Sequence, residues 1–382
     1  LRGANNEIAG VYVHVPFCVH KCHYCDFYSI VDGLGKADAY VDRLLEECAA
    51  AVEGGLANHP ITTIFVGGGT PTLLPPRALE RLLGGLSPLL GGRQDREWTV
   101  EANPETVTPE IAGVLADAGV TRVSIGSQSF QPALLKRLER LHDPASVGRA
   151  VAAIKAAGIT SFNIDMIFGI PSETMAELEA DLAAVAAIDP PHLSWYGLIY
   201  EPGTPLAVRL SRGEVQAVEE SLEAAMYERI CQWSRERGYD QYEISAFCRA
   251  GEACRHNLCY WQDGSYWPLG PAAAGHVGSM RWRNVRHLGR YMDSSGLGPI
   301  EQVIDGDDDT AVGEALMMGL RLRAGIPADR IESLLARGSR GDQRRAIIAA
   351  ACAREHLAWQ DGALVLTDAG ILIADSIIID LL

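Results

Sequence analysis

The sequence predicts an α/β fold: either an open doubly wound parallel sheet or a partial βα barrel, followed by a helical, winged-helix-like appendage. Three observations carry this. Six short runs rich in Val, Ile and aromatics, at residues 10–15, 62–66, 98–102, 122–126, 162–168 and 192–198, alternate with helical patterns up to about residue 237. The runs show little polar alternation, as expected of parallel strands covered on both faces. After residue 237 the rhythm breaks into a stretch rich in Trp, Tyr, Gly and Arg. Right-handed crossovers then place the active edge at the carboxyl ends of the strands.

Between the first two runs, Tyr40, Val41, Leu44, Leu45, Cys48 and Val52 form one helical stripe. Thr108-Pro109-Glu110 offers a helix start: a capping hydroxyl, Pro at the first turn and an acidic residue near the positive end. Asp305-Gly306-Asp307-Asp308-Asp309 reads as an acidic linker. Beyond it come helical patterns at 311–322 and 342–355, and a hairpin at 357–366 turning at Asp361-Gly362. The expected division is a core domain at 8–237, a connecting segment at 238–304 and a helical domain at 305–382.

Composition excludes several functions. With 382 residues, 48% of them hydrophobic and 21% charged, the chain can bury a sizeable core and is neither disordered nor fibrous. Lys and Arg number 33 against 49 acidic residues, a net charge of −16 that repels phosphate backbones, so no nucleic acid is expected as a partner. No transmembrane segment is expected either: a bilayer needs roughly 20 apolar residues, and the nearest candidate, 370–382, is short and carries Asp375 and Asp380. Residues 1–10 include Arg2 but no apolar stretch of the kind a secretion signal needs, so a cytoplasmic location is expected. Of nine cysteines, three fall within eight residues, which in a reducing compartment points to metal ligation rather than disulfides.

Those three are Cys18, Cys22 and Cys25, spaced C-x3-C-x2-C after the first strand. Three thiolates on one loop can each take one iron of a [4Fe-4S] cluster, leaving the fourth iron open. Structural zinc, with His14, His20 or His23 as fourth ligand, is the alternative, although zinc sites prefer ligand pairs from separated segments. The second strand ends in Gly67-Gly68-Gly69-Thr70-Pro71-Thr72, where bare backbone lets a ligand approach and amides can hold a carboxylate.

The cysteine loop, the glycine triplet and the βα rhythm together resemble the radical S-adenosylmethionine superfamily. Within it the chain resembles the branch of oxygen-independent coproporphyrinogen III oxidase. The matching segments, in order, are GGGTPT, VEANPE (100–105), IGSQSF (125–130), RLERLHD (137–143), NIDMIFGIP (163–171) and WYGLIYEPGTP (195–205). The resemblance implies a partial (β/α)6 barrel, a [4Fe-4S] cluster and S-adenosyl-L-methionine as cofactors. It implies cofactor contacts at Tyr12, Tyr24, Gly68, Gly69, Thr70, Glu101, Gln128, Arg140 and Asp165. The chemistry agrees: Glu101 and Asp165 can accept hydrogen bonds from ribose hydroxyls or an ammonium, and Arg140 can clamp a carboxylate. Taken alone, each carboxylate could instead cap a helix, and Arg140 could pair with Glu139 or Asp143.

Two marks separate the members of the branch. The oxidase carries a fourth cysteine two residues after the third, where this chain has Phe27. The continuation Cys25-Asp26-Phe27 and the motif His256-Asn257-x-x-Tyr260-Trp261 resemble the HemW-type haem chaperones. That resemblance implies haem as a third cofactor, with His256 linked to it, and an unidentified haem-acceptor protein as partner. Physically, His256 can ligate haem iron while Tyr260 and Trp261 cover the macrocycle. The same residues also fit a buried histidine satisfied by its surroundings, with the aromatics as core. Cys254 and Cys259 read as thiolate ligands or inert buried thiols. One loop departs from the group, which usually reads G-I-G-P-G-A-H where this chain has residues 268–276 ending in Ala274-Gly275-His276. The rival functions are coproporphyrinogen oxidation and radical chemistry on another substrate.

Overall fold

The computed structural model describes residues 7–92 and 95–382, so the amino end at 1–6 lies outside the described residues. Six parallel strands pair in sequence order: β1 (Ile8–Val15), β2 (Thr63–Gly68), β3 (Glu97–Ala102), β4 (Arg122–Gln128), β5 (Ser161–Phe168) and β6 (His192–Gly197). Their crossovers contain α1 (Ala37–Glu53), α2 (Pro76–Leu89), α3 (Pro109–Asp117), α4 (Pro132–Arg137), α5 (Ala145–Ala156) and α6 (Met175–Ile188). Thr108 caps α3 as expected, accepting from the Ile111 amide at 3.2 Å, a bond type worth about 1 kcal/mol. Outward-facing Val11, Val13, Ile64, Val66 and Val100 meet Tyr40, Leu44, Leu79 and Leu82 of the helices in one continuous core.

The sheet is curled. Tyr12, Phe65, Thr99, Ser124, Asn163 and His192, one from each strand, line a single cavity of about 260 Å³, which a flat sheet would not allow. β1 and β6 pair with other strands rather than with each other, so the barrel is partial. Its inner face corrects the expectation of strands apolar on both sides. Ser124, Asn163, Asp165, His192 and Ser194 alternate with apolar neighbours and turn inward, because the inside of an open barrel is a lined cavity and not a packed layer.

After α7 (Pro205–Ser211) and α8 (Glu220–Glu236), the segment expected to be a connector is instead part of the sheet. β7 (Asp240–Glu243) and β8 (Ala246–Cys248) extend the β6 edge. The chain then passes through α9 (Arg255–Trp261) and resumes at the other edge. There it forms β9 (Ser265–Leu269), parallel to β1, then β10 (Ala274–Val277), β11 (Met280–Asn284), α10 (Leu288–Met292) and β12 (Ile300–Asp305). The two edges of a partial barrel each need a partner, and this segment supplies both. The departing loop follows the carboxyl end of β9 and packs on α1 and on the end of β1, where a Cβ at Gly270 would meet the His14 carbonyl at 2.6 Å. Glu47 accepts from the Gly270 amide at 2.9 Å and from the Tyr291 hydroxyl at 2.7 Å.

The C-terminal unit has its own core, built by α11 (Asp308–Leu320), α12 (Ala328–Leu335), α13 (Gly341–Ala353), α14 (Asp368–Ile371) and α15 (Ala374–Leu381). These pack on a small antiparallel sheet of β13 (Ile326–Pro327), β14 (Leu357–Gln360) and β15 (Ala363–Leu366), ordered β13-β15-β14. Asp361 and Gly362 both have positive φ, as the tight hairpin requires. The acidic run is less of a linker than expected: Asp307 caps α11 through the Thr310 amide at 2.8 Å, and Asp309 pairs with buried Arg344 at 3.0 Å. Among the described residues no helix is long and apolar enough to cross a membrane.

Candidate functional site

The cysteine loop leaves the carboxyl end of β1 and is closed at its neck by backbone bonds, Ile30 N–H to the Pro16 carbonyl at 2.7 Å and Cys18 N–H to the Ile30 carbonyl at 3.0 Å. Cys22 is buried, and Cys18 and Cys25 are partly exposed. Donors reach two of the sulfurs. Arg140 Nη1 lies 3.6 Å from Cys22 Sγ and Thr70 Oγ1 lies 3.8 Å from Cys18 Sγ. Such donors suit thiolates, which a bound cluster requires. Among the described residues no three His, Cys, Asp or Glu side chains gather as they would around one ion. A cube takes its ligands at separate corners, whereas a single ion needs them gathered around one point. His14 is also committed, with Nδ1 at 3.0 Å from the Tyr12 hydroxyl and Nε2 at 2.8 Å from the Tyr28 carbonyl.

The glycine triplet makes room for the protein as much as for a ligand. At Gly68, φ is +103° and a Cβ would strike the His14 ring at 2.4 Å. At Gly69 a Cβ would meet the carbonyls of Phe17 and Val15 at 2.7 and 2.8 Å, so the bare backbone lets the cysteine loop lie directly on the end of β2. The Gly68 amide donates to Glu101 Oε2 at 3.0 Å.

Two carboxylates face each other across the barrel mouth. Burial, then the neighbouring Asp165 carboxylate, push Glu101 up to about 7 against the Gly68 hydrogen bond. Burial also raises Asp165, opposed by hydrogen bonds from Ser124 at 2.8 Å and Asn163 at 2.7 Å. A polar chain continues inward: His192 Nδ1 lies 2.7 Å from Asn163 Oδ1, and His192 Nε2 lies 2.9 Å from the Tyr242 hydroxyl. Burial makes ionisation of both carboxylates costly, with the Arg140 guanidinium opposing this at Asp165, so the pair is suited to a cationic or hydroxyl-bearing ligand.

A cavity of about 370 Å³ opens beside them at the strand carboxyl ends. Tyr24, Cys25, Gly68, Gly69, Thr70, Glu101, Gln128, Arg140 and Asp165 all line it. Gln128 sits at positive φ, 65°, where the β4 to β5 ladder slips by one residue. Tyr12 lies deeper, in the adjoining lumen. Sequence reasoning missed Ser124, Asn163, His192, Ser194 and Tyr196; the available signal was a polar residue at every second position in β4 to β6.

His256 does not join this group. It lies at the opposite end of the barrel, against Gly10 and Thr63 at the amino ends of β1 and β2. Its Nδ1 is 2.8 Å from Thr63 Oγ1, its Nε2 is 2.7 Å from the Tyr260 hydroxyl, and its ring stacks on Phe65 at 5.2 Å. Exposure is 0%, and burial lowers the ring to about 3, so it is neutral. Asn257 and Tyr260 line the lumen floor, while Trp261 lies under the Arg321 guanidinium at 4.6 Å. Glu97 of β3 accepts from the amides of Arg255 and His256 at 2.8 and 2.9 Å, capping α9 from outside. Cys254 and Cys259 are buried and pushed up by that burial to about 12 and about 11, the state of inert thiols.

Comparison with known proteins agrees with this geometry. The family described as the radical SAM superfamily matches residues 12–185. "Heme chaperone HemW" of Mycobacterium tuberculosis is 37% identical over 381 residues, 98% of this chain and 94% of that protein. "Heme chaperone HemW" of Escherichia coli K12 is 39% identical over 295 residues, covering 74% and 77%. Among solved structures, coproporphyrinogen III oxidase (HemN) from Escherichia coli superposes with a TM-score of 0.84 over 98% of this chain and 90% of that one. At 21% identity, that likeness speaks for the fold.

Proposed function

The chain belongs to the HemW family of the radical SAM superfamily, and from that membership we propose that it is a haem chaperone, binding haem and passing it to an acceptor protein. Cys18, Cys22 and Cys25 would hold a [4Fe-4S] cluster, and the adjoining cavity would hold S-adenosyl-L-methionine. When bound, the cluster supplies an electron at low potential beside the cofactor. The chain's own residues do the rest: Arg140 orients a carboxylate beside Cys22, Glu101 and Asp165 receive the cofactor's donors, and Tyr24, half-buried against the Leu134, Leu138 and Leu206 cluster, shields the cavity from water. Nine free cysteines suit a reducing compartment such as the cytoplasm.

The observation that carries the choice between chaperone and oxidase is Phe27. It stands where the oxidase has its further cysteine, it is 60% exposed, and it borders both the mouth cavity and the lumen. An apolar ring there supplies neither proton nor thiolate to a bound porphyrinogen, but it does offer a macrocycle an apolar contact. His256 is proposed as haem ligand, with Tyr260 beside it.

The test is anaerobic reconstitution followed, on one sample, by haem titration, cofactor cleavage and incubation with coproporphyrinogen III. Stoichiometric haem uptake with a ligand-dependent Soret shift is expected, with the porphyrinogen left unchanged. His256→Ala should lose the shift and keep the cluster, because the two sites occupy opposite ends of the barrel. Robust conversion to protoporphyrinogen would replace the chaperone reading with the enzyme.

A further inference from the structure

We propose that the cavity between β5, β6, α8 and the C-terminal unit is a second binding site, for a guanidinium group carried near a hydrogen-bond acceptor, as in arginine. This goes beyond the haem reading and does not rest on it. The cavity measures about 320 Å³, at the lower end of the roughly 300 to 1,000 Å³ typical of small-molecule sites. Phe168, Trp195, Glu220, Glu223, Tyr227 and Leu372 are among its lining residues, and none of them lines the lumen or the mouth cavity. Ser194 and Tyr196 turn into the lumen, so Trp195 between them turns to the outer face of the sheet, where this cavity lies.

The walls select the ligand. Glu220 and Glu223 stand in the first turn of α8, where carboxylates complement the positive helix end. Glu223 nevertheless lies against the carboxyl ends of β5 and β6: a Cβ at Gly197 would meet its Oε1 at 3.3 Å, and one at Gly169 would meet its Cδ at 3.5 Å. Among the described residues neither carboxylate has an ion-pair partner, and burial, then the Glu220 charge, raise the Glu223 carboxyl. Trp195 adds an unmet donor: it is 1% exposed and its Nε1–H has no partner. Phe168 and Tyr227 set two rings 6.1 Å apart, and the Tyr227 hydroxyl is fixed by donating to the Ile244 carbonyl at 2.9 Å. A planar guanidinium can stack on such rings while it pairs with a carboxylate, which a strongly hydrated ammonium does less well. A metal ion is unsuited, since among the described residues no three His, Cys, Asp or Glu side chains gather for one. An acceptor on the same ligand would meet the Trp195 N–H. Ile371 and Leu372 close one side, so an occupied cavity ties the C-terminal unit to the barrel.

Calorimetry on the full-length protein tests this with free arginine, with agmatine, which keeps the guanidinium and lacks the carboxylate, with lysine, and with a capped tripeptide whose central residue is arginine. Arginine should bind about tenfold more tightly than agmatine or lysine. A tripeptide that binds more tightly than free arginine assigns the cavity to a side chain of a partner protein, and the reverse order assigns it to a small molecule. Glu223→Gln should weaken arginine about tenfold, and Glu220→Gln, at an exposed position that the fold does not need, roughly threefold. Trp195→Phe, checked for a native far-UV spectrum, should bind arginine and agmatine about equally. The site is overturned by no binding of any probe at millimolar concentration, by lysine bound as tightly as arginine, by arginine affinity unchanged in both glutamate variants, or by a folded Trp195→Phe that keeps the preference for arginine.

Discussion

The Arg140 guanidinium joins two halves of the site: Nη1 reaches the Cys22 sulfur at 3.6 Å while Nη2 donates to the Gly126 carbonyl at 2.8 Å. The residue expected to clamp a carboxylate also places a fixed positive charge beside the Cys22 sulfur, a proposed cluster ligand. Arg140→Lys keeps the charge but not the planar fork. The variant should bind S-adenosylmethionine at least about tenfold more weakly and retain less iron, the size expected when a charge-assisted bidentate contact is lost. Calorimetry and an iron count check this, and unchanged values for both would take Arg140 out of the site.

Replacing Cys18, Cys22 and Cys25 together with Ala should abolish bound iron and the broad absorption near about 400 nm that thiolate-held iron-sulfur clusters show. The fold should survive, since the loop neck is closed by the backbone bonds of Pro16, Cys18 and Ile30. A full iron complement in the triple variant, or zinc in anaerobically purified wild type, would defeat the cluster assignment.

Gly69→Val should cost the cluster as well as the cofactor. The new Cβ would meet backbone of the cysteine loop at 2.7 to 2.8 Å, and backbone cannot swing aside as a flexible side chain can. Iron content and S-adenosylmethionine affinity should therefore fall together. Full iron with weakened cofactor binding would show that only the ligand needed the space.

Stability should decline with rising pH through a group outside the site. Burial pushes Glu173 up to about 8, and only one of its oxygens has a partner, the Ile170 amide at 2.9 Å. The folded state thus holds a proton that the unfolded chain releases near 4.5. Its contribution is complete below about pH 4.5 and is lost as pH rises through about 8. Glu173→Gln removes that titration, so at pH 8 its thermal midpoint should lead wild type by about 1 to 2 °C more than at pH 5. A midpoint difference independent of pH would refute the assignment.

Much of the fold could be read from the chain because it is written in local patterns. All six core strands were visible as β-branched runs, and their observed bounds differ from the expected ones by at most two residues at either end. The Thr108 cap and the Asp361-Gly362 turn are contacts between residues at most three apart, and both formed. The polar inner face was less visible, since Asn163 and His192 matter through a bond that crosses from β5 to β6.

By itself the sequence determined the strand-helix alternation, the three-thiol loop and the motifs that place the chain among its relatives, because each of these is a run of neighbours whose spacing sets their chemistry. Only the tertiary structure decided where the motifs go. Nothing local says that residues 240–305 supply both edges of the sheet, that Gly69 yields its space to the cysteine loop, or that Arg140 reaches Cys22. His256 is the sharpest case. Its motif shows only its neighbours in sequence, whereas the enclosure of the ring depends on Thr63 and Phe65, nearly two hundred residues earlier, which come beside it only once the sheet has curled. Burial and hydrogen-bond partnership are properties of that assembled packing, so no window of sequence contains them.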